Sequence, residues 1–379
     1  METTGVKRHD QAGPVQPRRL RKLLKRMIDI YSPSGKEEEL LAYLSSYLKR
    51  QGLPVMRQEV DDSRYNIVVH PPSGDACLCL VGHLDTVVAY DLDQYGYDTE
   101  EDRVTGLGAA DMKGGCAAMI EAYMAAWETL SGRVPAALAL VVGEEEDGDG
   151  AQRLVEEYHF PWAIIGEPTN LMPCLGHYGY LEIQLVTRGT RAHASLANRG
   201  KNPVEAMLRV LLALTSHIEK KRPRLVCNIR ELYSSPAGFV VPDRCEVWID
   251  VHMPHDAPVG AITVELEEVV AEEQKRNADL ETSLSYSTIN AGYDIPEKGT
   301  LVQVLKDVFR ERSLPWSPQV FRSHSDAGIL WEAGIKPLIL GPGGIEQAHA
   351  PEESVSFEEV LRAAVLYRDC LVALSTRQV

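Results

Sequence analysis

The sequence predicts an α/β fold: a mostly parallel sheet with helices on both faces, split by an inserted α+β domain. Three observations lead there. Short apolar runs alternate with helical patterns from Cys77 to about Glu167 and again after Gly292, as strand-helix-strand units do. Around residues 176–290 the texture changes: Leu181-Glu182-Ile183-Gln184-Leu185-Val186 and Cys245-Glu246-Val247-Trp248-Ile249-Asp250-Val251 alternate apolar with polar residues, as strands with one solvated face do. At 379 residues the chain also exceeds the size at which one core usually keeps growing. The expected division is 1–177 and 291–379 for the split α/β domain, with 178–290 as the insertion.

The elements follow in order. Leu20, Leu23, Leu24, Met27 and Ile28 have the spacing of an amphipathic helix. Ser34 with Glu37 three residues on has the form of a capping box opening a second helix through Leu40, Leu41, Leu44 and Leu48. Cys77 to Val81 reads as a strand, and Gly114-Gly115 lead into a small-residue helix from about Ala117 to Leu130. Ala137–Val142 and Ala163–Ile165 are further strands. Within the insertion, Asn202-Pro203 supplies a cap and a proline at the first helical position, and a second helix runs roughly from Val259 to Arg276. The last apolar run, Pro337–Leu340, enters a glycine-rich loop, and there are no internal repeats.

Composition narrows the function. With 44% hydrophobic and 25% charged residues the chain reads as globular. Its 39 basic and 55 acidic residues give a formal charge of −16, which argues against nucleic acid as a partner. An anionic substrate then needs local positive charge from a metal or an arginine. No run approaches the ~20 apolar residues of a membrane helix. The basic N-terminus lacks the apolar core of a signal peptide, so the expectation is an unprocessed cytoplasmic protein with a frayed tail. Seven cysteines, several inside apolar runs, fit reduced buried thiols better than disulfides.

The apolar runs share a further property: potential metal ligands follow them. Cys77–Val81 leads into Gly82-His83-Leu84-Asp85, Ala137–Val142 into Gly143-Glu144-Glu145-Glu146, Ala163–Ile165 into Gly166-Glu167, and Pro337–Leu340 through glycines to His349. In open α/β sheets ligands bind just beyond the carboxyl ends of the strands. A carboxylate two residues from a ligating imidazole, as Asp85 is from His83, can hold the second ring nitrogen. Gly106-Leu107-Gly108-Ala109-Ala110-Asp111 resembles a dinucleotide loop, but Asp111 stands where a small residue is required and would repel pyrophosphate. Asp111 is better read as a ligand on a glycine-flanked turn. Three adjacent glutamates repel one another unless a cation offsets them, so one suits ligation and a neighbour suits a general base; residue chemistry leaves open which does which. Two His, one Asp and two Glu, without cysteine, suit two divalent ions, most simply Zn²⁺, with Co²⁺ or Mn²⁺ as substitutes.

Taken in order, Gly82-His83-Leu84-Asp85-Thr86-Val87, the run from Gly106 to Gly115, the glutamate triplet, Gly166-Glu167-Pro168-Thr169 and His349 resemble the acetylornithine deacetylase, succinyl-diaminopimelate desuccinylase and carboxypeptidase family of di-zinc amidohydrolases. The resemblance runs over nearly the whole chain after about Leu20. It implies two zinc ions per subunit, with His83 and Glu167 on them, Asp111 bridging, and Glu146 and His349 completing the set. It also implies Glu145 as general base, Asp85 behind His83, and a cis peptide between Asp111 and Met112. Gly189 to Ser195, followed by Gly200 and Asn202-Pro203, resembles the family's dimerisation domain, which implies a homodimer whose His193 steadies the oxyanion in the partner's site.

The implied reaction is hydrolysis of the amide bond of a small N-acylated amino acid by metal-activated water. A di-zinc exopeptidase, whether aminopeptidase, dipeptidase or carboxypeptidase, is the near alternative, and a non-catalytic metal-binding scaffold the remote one. Where many relatives carry Asp-x-Arg, this chain has Asp250-Val251-His252, and a neutral imidazole cannot make the same bidentate grip on a carboxylate. That task passes to other residues, with Arg322, Asn228 and Arg230 as candidates.

Overall fold

The computed structural model describes residues 14–71, 76–93, 95–199, 201–236, 238–276 and 281–377. The frayed tail expected at the N-terminus lies, through residue 13, outside the described residues. The chain forms two compact units. One comprises the chain to Leu175, Ile295–Phe321 and the chain from Ser325 onward; the other comprises Gly176–Asp294 together with Arg322–His324. The short return of the chain at 322–324 has no counterpart in the sequence pattern.

The first unit is built on a sheet whose order is Val55–Glu59, Tyr65–Val69, Ala136–Val141, Leu78–His83, Trp162–Ile165, Lys336–Ile339 and the strand starting at Cys174. The pairings among 136–141, 78–83, 162–165 and 336–339 are parallel, and the outer pairings are antiparallel. Every residue of Leu78–His83, Ala136–Val141 and Trp162–Ile165 is buried, which is why these strands read as continuous apolar runs. The Pro17–Asp29 helix buries Leu20, Leu23, Leu24, Met27 and Ile28, each worth about 1.5–3 kcal/mol against exposure.

The Gly114–Thr129 helix is buried from Gly114 through Ala126 and packs against the Phe357–Ser375 helix, so two distant parts of the chain close one core. Its start must approach the sheet closely: a Cβ on Gly115 would lie 2.1 Å from the Gly166 carbonyl oxygen, so only glycine fits there. That approach brings the turn carrying Asp111 to the end of the strand that precedes Glu167. The capping box expected at Ser34 and Glu37 does not form. The helix is Glu38–Arg50, with no side-chain cap, and the Ser34 hydroxyl donates instead to Asp85 Oδ2 at 2.7 Å. A tertiary acceptor has outcompeted the local one.

The second unit is a four-stranded antiparallel sheet in the order Val226–Ser234, Arg244–Met253, Gly179–Arg188, Glu281–Asn290. Leu181, Ile183 and Leu185 join Val247, Ile249 and Val251 in a core with Met207, Leu211 and Leu214 of the Pro203–Lys221 helix and Ile262 and Leu266 of the Val259–Arg276 helix. Asn202 caps its helix as expected, accepting from the Val204 amide at 3.1 Å.

Candidate metal centre

The candidate ligands converge because the strands that precede them are neighbours. Leu78–His83 lies between Ala136–Val141 and Trp162–Ile165, all parallel, so the residues beyond their carboxyl ends share one edge of the sheet. His83 ends its strand, Glu167 follows the strand ending at Ile165, and Glu144 and Glu145 follow the one ending at Val141. Asp111 arrives from the turn before the Gly114–Thr129 helix, across a cis Asp111–Met112 peptide.

Asp111 sits at the middle. Its Oδ1 is 3.1 Å from His83 Nε2, and its Oδ2 is 3.7 Å from His349 Nε2. Glu145 Oε2 is 2.9 Å from His349 Nε2. Glu144 Oε2 and Glu167 Oε1 each stand 3.7 Å from His83 Nε2. Ligand atoms of His83, Asp111 and Glu145 all lie within 4.8 Å of one another. Behind them, Asp85 is fully buried: its backbone oxygen is 3.1 Å and its Oδ1 3.6 Å from His83 Nδ1. The Asp85 carboxylate also accepts from the amides of Glu144 at 3.2 Å and Glu145 at 3.0 Å, so one residue, through its backbone oxygen and its side chain, orients a histidine and the glutamate loop together.

The glutamate triplet departs from the expected register by one residue. Gly143 takes φ +76°, and the amide of Glu146 turns back toward the Gly143 carbonyl at 3.4 Å. The chain therefore reverses one position earlier than the sequence motif suggests. Glu144 and Glu145 face the cluster, whereas Glu146, expected as a ligand, lines a separate surface cavity with Asp61, Arg64, Asp147 and Asp149. Glu145, expected as the base, lies beside His349, with Oε2 2.9 Å from its Nε2.

The electrostatics describe carboxylates in want of a cation. Burial pushes the Glu144 and Glu167 carboxyls well above the usual range, and burial likewise raises Glu145. For Asp111 burial acts upward too, but the hydrogen bond and charge of His83 prevail and its carboxyl ends below its ordinary value. Burial alone would depress His83; Glu144, Asp111 and Asp85 more than offset it, and its imidazole is raised well above the ordinary value. The His349 imidazole is pushed up to about 9, first by its hydrogen bond to Glu145. Glu167 Oε1 is buried with no hydrogen-bond partner, which is costly unless another group engages it. An oxygen and nitrogen donor set with an orphaned buried carboxylate oxygen fits hard or borderline divalent ions. The nearby Cys116 thiol is pushed up to about 12 by burial and donates to the His83 carbonyl at 3.1 Å, so it stands outside the donor set.

His193, Asn228 and Arg322 belong to the second unit. His193 is exposed, and its Nδ1 accepts from the Ser195 amide at 3.2 Å, which leaves Nε2 to carry the proton. Asn228 donates to Asp250 Oδ2 at 3.2 Å, and Arg230 pairs with Glu182 at 2.6 Å and Asp250 at 3.3 Å, so both are engaged within the sheet face. Arg322 is exposed. His252 packs against Tyr180 with ring centroids 5.2 Å apart, and burial lowers its pKa, which keeps it neutral.

Two residues escape sequence reasoning. Ser34 was legible only as a cap. Glu353 is buried and accepts three backbone amides of the Asp111 turn; its position four residues after His349 was the available signal.

This fold and this site define a class: a metallohydrolase that cleaves amide bonds. The chain belongs to peptidase family M20/M25/M40, whose model matches residues 79–373. It is 28% identical to an acetylornithine deacetylase of Vibrio atlanticus (strain LGP32), over 85% of this chain and 87% of that one. Among solved structures, a tripeptidase from Staphylococcus aureus subsp. aureus Mu50 superposes with TM-score 0.77 at 21% identity, covering 96% of this chain and 100% of that one. A dinuclear metal-binding peptidase of Bacillus subtilis superposes with TM-score 0.67 at 12% identity, covering 95% and 98%. No helix among the described residues is long and apolar enough to cross a membrane.

Proposed function

We propose that this chain hydrolyses the amide bond of a small N-acylated amino acid at a two-metal centre held by His83, Asp111, Glu145, Glu167 and His349. The observation that carries the reading is the division of Asp111, one carboxylate oxygen toward His83 and the other toward His349, with Glu145 and Glu167 on opposite sides. Zn²⁺ is the simplest occupant, with Co²⁺ or Mn²⁺ as substitutes. When bound, two such ions polarise an amide carbonyl and make water a better nucleophile near neutral pH.

In this reading Glu144 is the general base. Its side chain is 10% exposed beside the candidate ligands and makes no ion pair to an arginine or lysine among the described residues, and burial raises its proton affinity, as suits a group that takes a proton from water and returns it to the leaving amine. Asp85 fixes the tautomer of His83 and the backbone at Glu144 and Glu145. His193, with its Nε2 proton free to donate, serves the oxyanion from a second subunit, as the family resemblance implies. Exposed Leu208 and Leu212 on one helix, with Val226, Ile229 and Leu232 on the edge strand, support a homodimer through the second unit. Arg322 is the remaining candidate for a substrate carboxylate; Asn228, tied to Asp250, is a weaker one. Seven free cysteines support a reducing cytoplasmic setting.

The exopeptidase reading is kept because of the likeness to the tripeptidase. A screen of metal-loaded protein on N-acetyl, N-succinyl and N-formyl amino acids beside di- and tripeptides separates the two. Amine release from the acylated amino acids at least tenfold faster than from peptides is expected. The reverse order would replace the deacylase reading with the exopeptidase one, and no release from any substrate would leave the scaffold.

A further inference from the structure

The run Gly106-Leu107-Gly108-Ala109-Ala110-Asp111 resembles a loop that cradles an anion, and in the fold it does so, but the anion belongs to the chain. Glu353 Oε2 accepts from the Gly108 amide at 2.8 Å, while Oε1 accepts from Ala110 at 2.8 Å and Asp111 at 2.9 Å. Three N–H groups converging on one carboxylate form a backbone anion nest. Glu353 is 3% exposed, and its own backbone oxygen accepts from the Gly106 amide at 3.0 Å. The next residues, Ser354–Ser356, pair antiparallel with Arg103–Thr105, which fixes the level of the loop against the turn. Buried Lys113, bonded to the Ile30 carbonyl at 3.0 Å, supplies positive charge nearby.

We propose that Glu353 is the positioning residue of the metal centre: its carboxylate sets the turn that presents Asp111 between His83 and His349. The proposal rests on the two-metal reading for its functional consequence, and on hydrogen-bond geometry alone for its structural one. Glu353 lies four residues beyond His349, which itself takes φ +56°, so one short loop carries a ligand and the anchor of the bridging carboxylate. The nest and the bridging Asp111 are therefore set by the same segment.

The acceptor count makes the prediction specific. Glutamine can still accept from Ala110 and Asp111 through its carbonyl oxygen, but its NH₂ then faces the Gly108 N–H, donor against donor. Glu353→Gln therefore keeps the shape of the side chain and opposes the nest. Glu353→Asp keeps the charge and falls short by one methylene. Three measurements on full-length protein test this: thermal melting, amide hydrogen exchange over residues 106–113, and Co²⁺ binding read by its visible spectrum. Both variants should melt as folded proteins. Glu353→Gln should lose at least tenfold in exchange protection of the Gly108, Ala110 and Asp111 amides and at least tenfold in Co²⁺ affinity, with an altered spectrum. Glu353→Asp should lose less of each.

Wild-type protection and wild-type Co²⁺ binding in Glu353→Gln would overturn the proposal. Failure of Glu353→Gln to fold, with Glu353→Asp folded and weakened at these amides and in Co²⁺ affinity, supports it; an unaltered Glu353→Asp overturns it. If wild-type protein and an Asp111→Ala control alike bind no Co²⁺, the two-metal reading fails, while the exchange data still decide whether Glu353 holds the turn.

Discussion

At the scale of single residues, the glutamate triplet is the sharpest case. Three chemically identical side chains occupy consecutive positions, and only the backbone decides their roles. Gly143 in the left-handed region starts the turn, and the two amides held by Asp85 fix Glu144 and Glu145 toward the cluster. Glu144→Gln should lower kcat by about 10²–10⁴-fold with metal content unchanged, since it removes a proton carrier and keeps the shape. Glu145→Gln should lose metal, and Glu146→Gln should stay within twofold of wild type in kcat. Metal analysis beside steady-state kinetics checks all three; a Glu146→Gln variant that loses metal would restore the register read from the motif. Glu37 offers a separate test. Burial first, then the charge of Asp85, pushes its carboxyl up to about 7, and both its oxygens are buried without hydrogen-bond partners, with Arg64 3.6 Å away. A carboxyl raised in the folded state binds its proton more tightly there than in the unfolded chain. Its stabilising contribution is complete below about pH 4.5 and is lost as pH rises through about 7, on the order of 3 kcal/mol. Glu37→Gln should therefore flatten stability over that window in urea unfolding, and an unchanged pH slope would contradict the assignment.

At the scale of elements, the strands were legible because a fully buried parallel strand is an apolar run, and two candidate ligands were legible because they follow such runs directly. His83 and Glu167 needed no tertiary information to be found. The misread features all depended on it. Ser34 satisfies every local rule for a cap, yet Asp85, brought 51 residues along the chain to its hydroxyl, is the acceptor it serves. Glu353 could not be assigned from pattern because its partners are backbone amides 242 to 245 residues away. The Gly114-Gly115 pair was read only as a helix start, whereas its second glycine sets how closely that helix meets the strand before Glu167. Gly115→Ala would drive a Cβ to 2.1 Å from the Gly166 oxygen and 3.0 Å from its carbonyl carbon, backbone atoms that cannot swing aside as the neighbouring Met112 side chain can. The helix start must shift, and Asp111 and Glu167 shift apart with it. The expected outcome is a loss of about 1–3 kcal/mol in stability together with weaker metal binding. Calorimetry with and without Zn²⁺ checks this: a Gly115→Ala protein with wild-type melting and wild-type metal affinity would show that the approach is not what holds the two ligands together.

At the scale of the whole molecule, the two units differ in how chain and function are distributed. The second unit is almost one continuous segment with its own core beneath two helices. The first is assembled from both ends of the chain: Lys336–Ile339 pairs with Trp162–Ile165, and Phe357–Ser375 packs on Gly114–Thr129. All five residues assigned to the metals, with Asp85, Glu144 and Glu353, lie in that discontinuous unit. Metal binding therefore draws together segments that covalent order leaves far apart, and its free energy should appear as stability of the first unit alone. A ligand at one hundred times its dissociation constant stabilises its folded target by about 2.7 kcal/mol. Stripping metal with a chelator should thus raise amide exchange at 105–113, 143–150 and 345–354 at least tenfold, and to a lesser degree along the 114–129 and 357–375 helices. The 203–221 and 259–276 helices should keep their exchange rates, because no assigned ligand lies in their unit. Equal loosening of both units on chelation would mean that the metals stabilise the molecule through a route other than these five side chains, and would remove the basis for assigning the centre to the first unit alone.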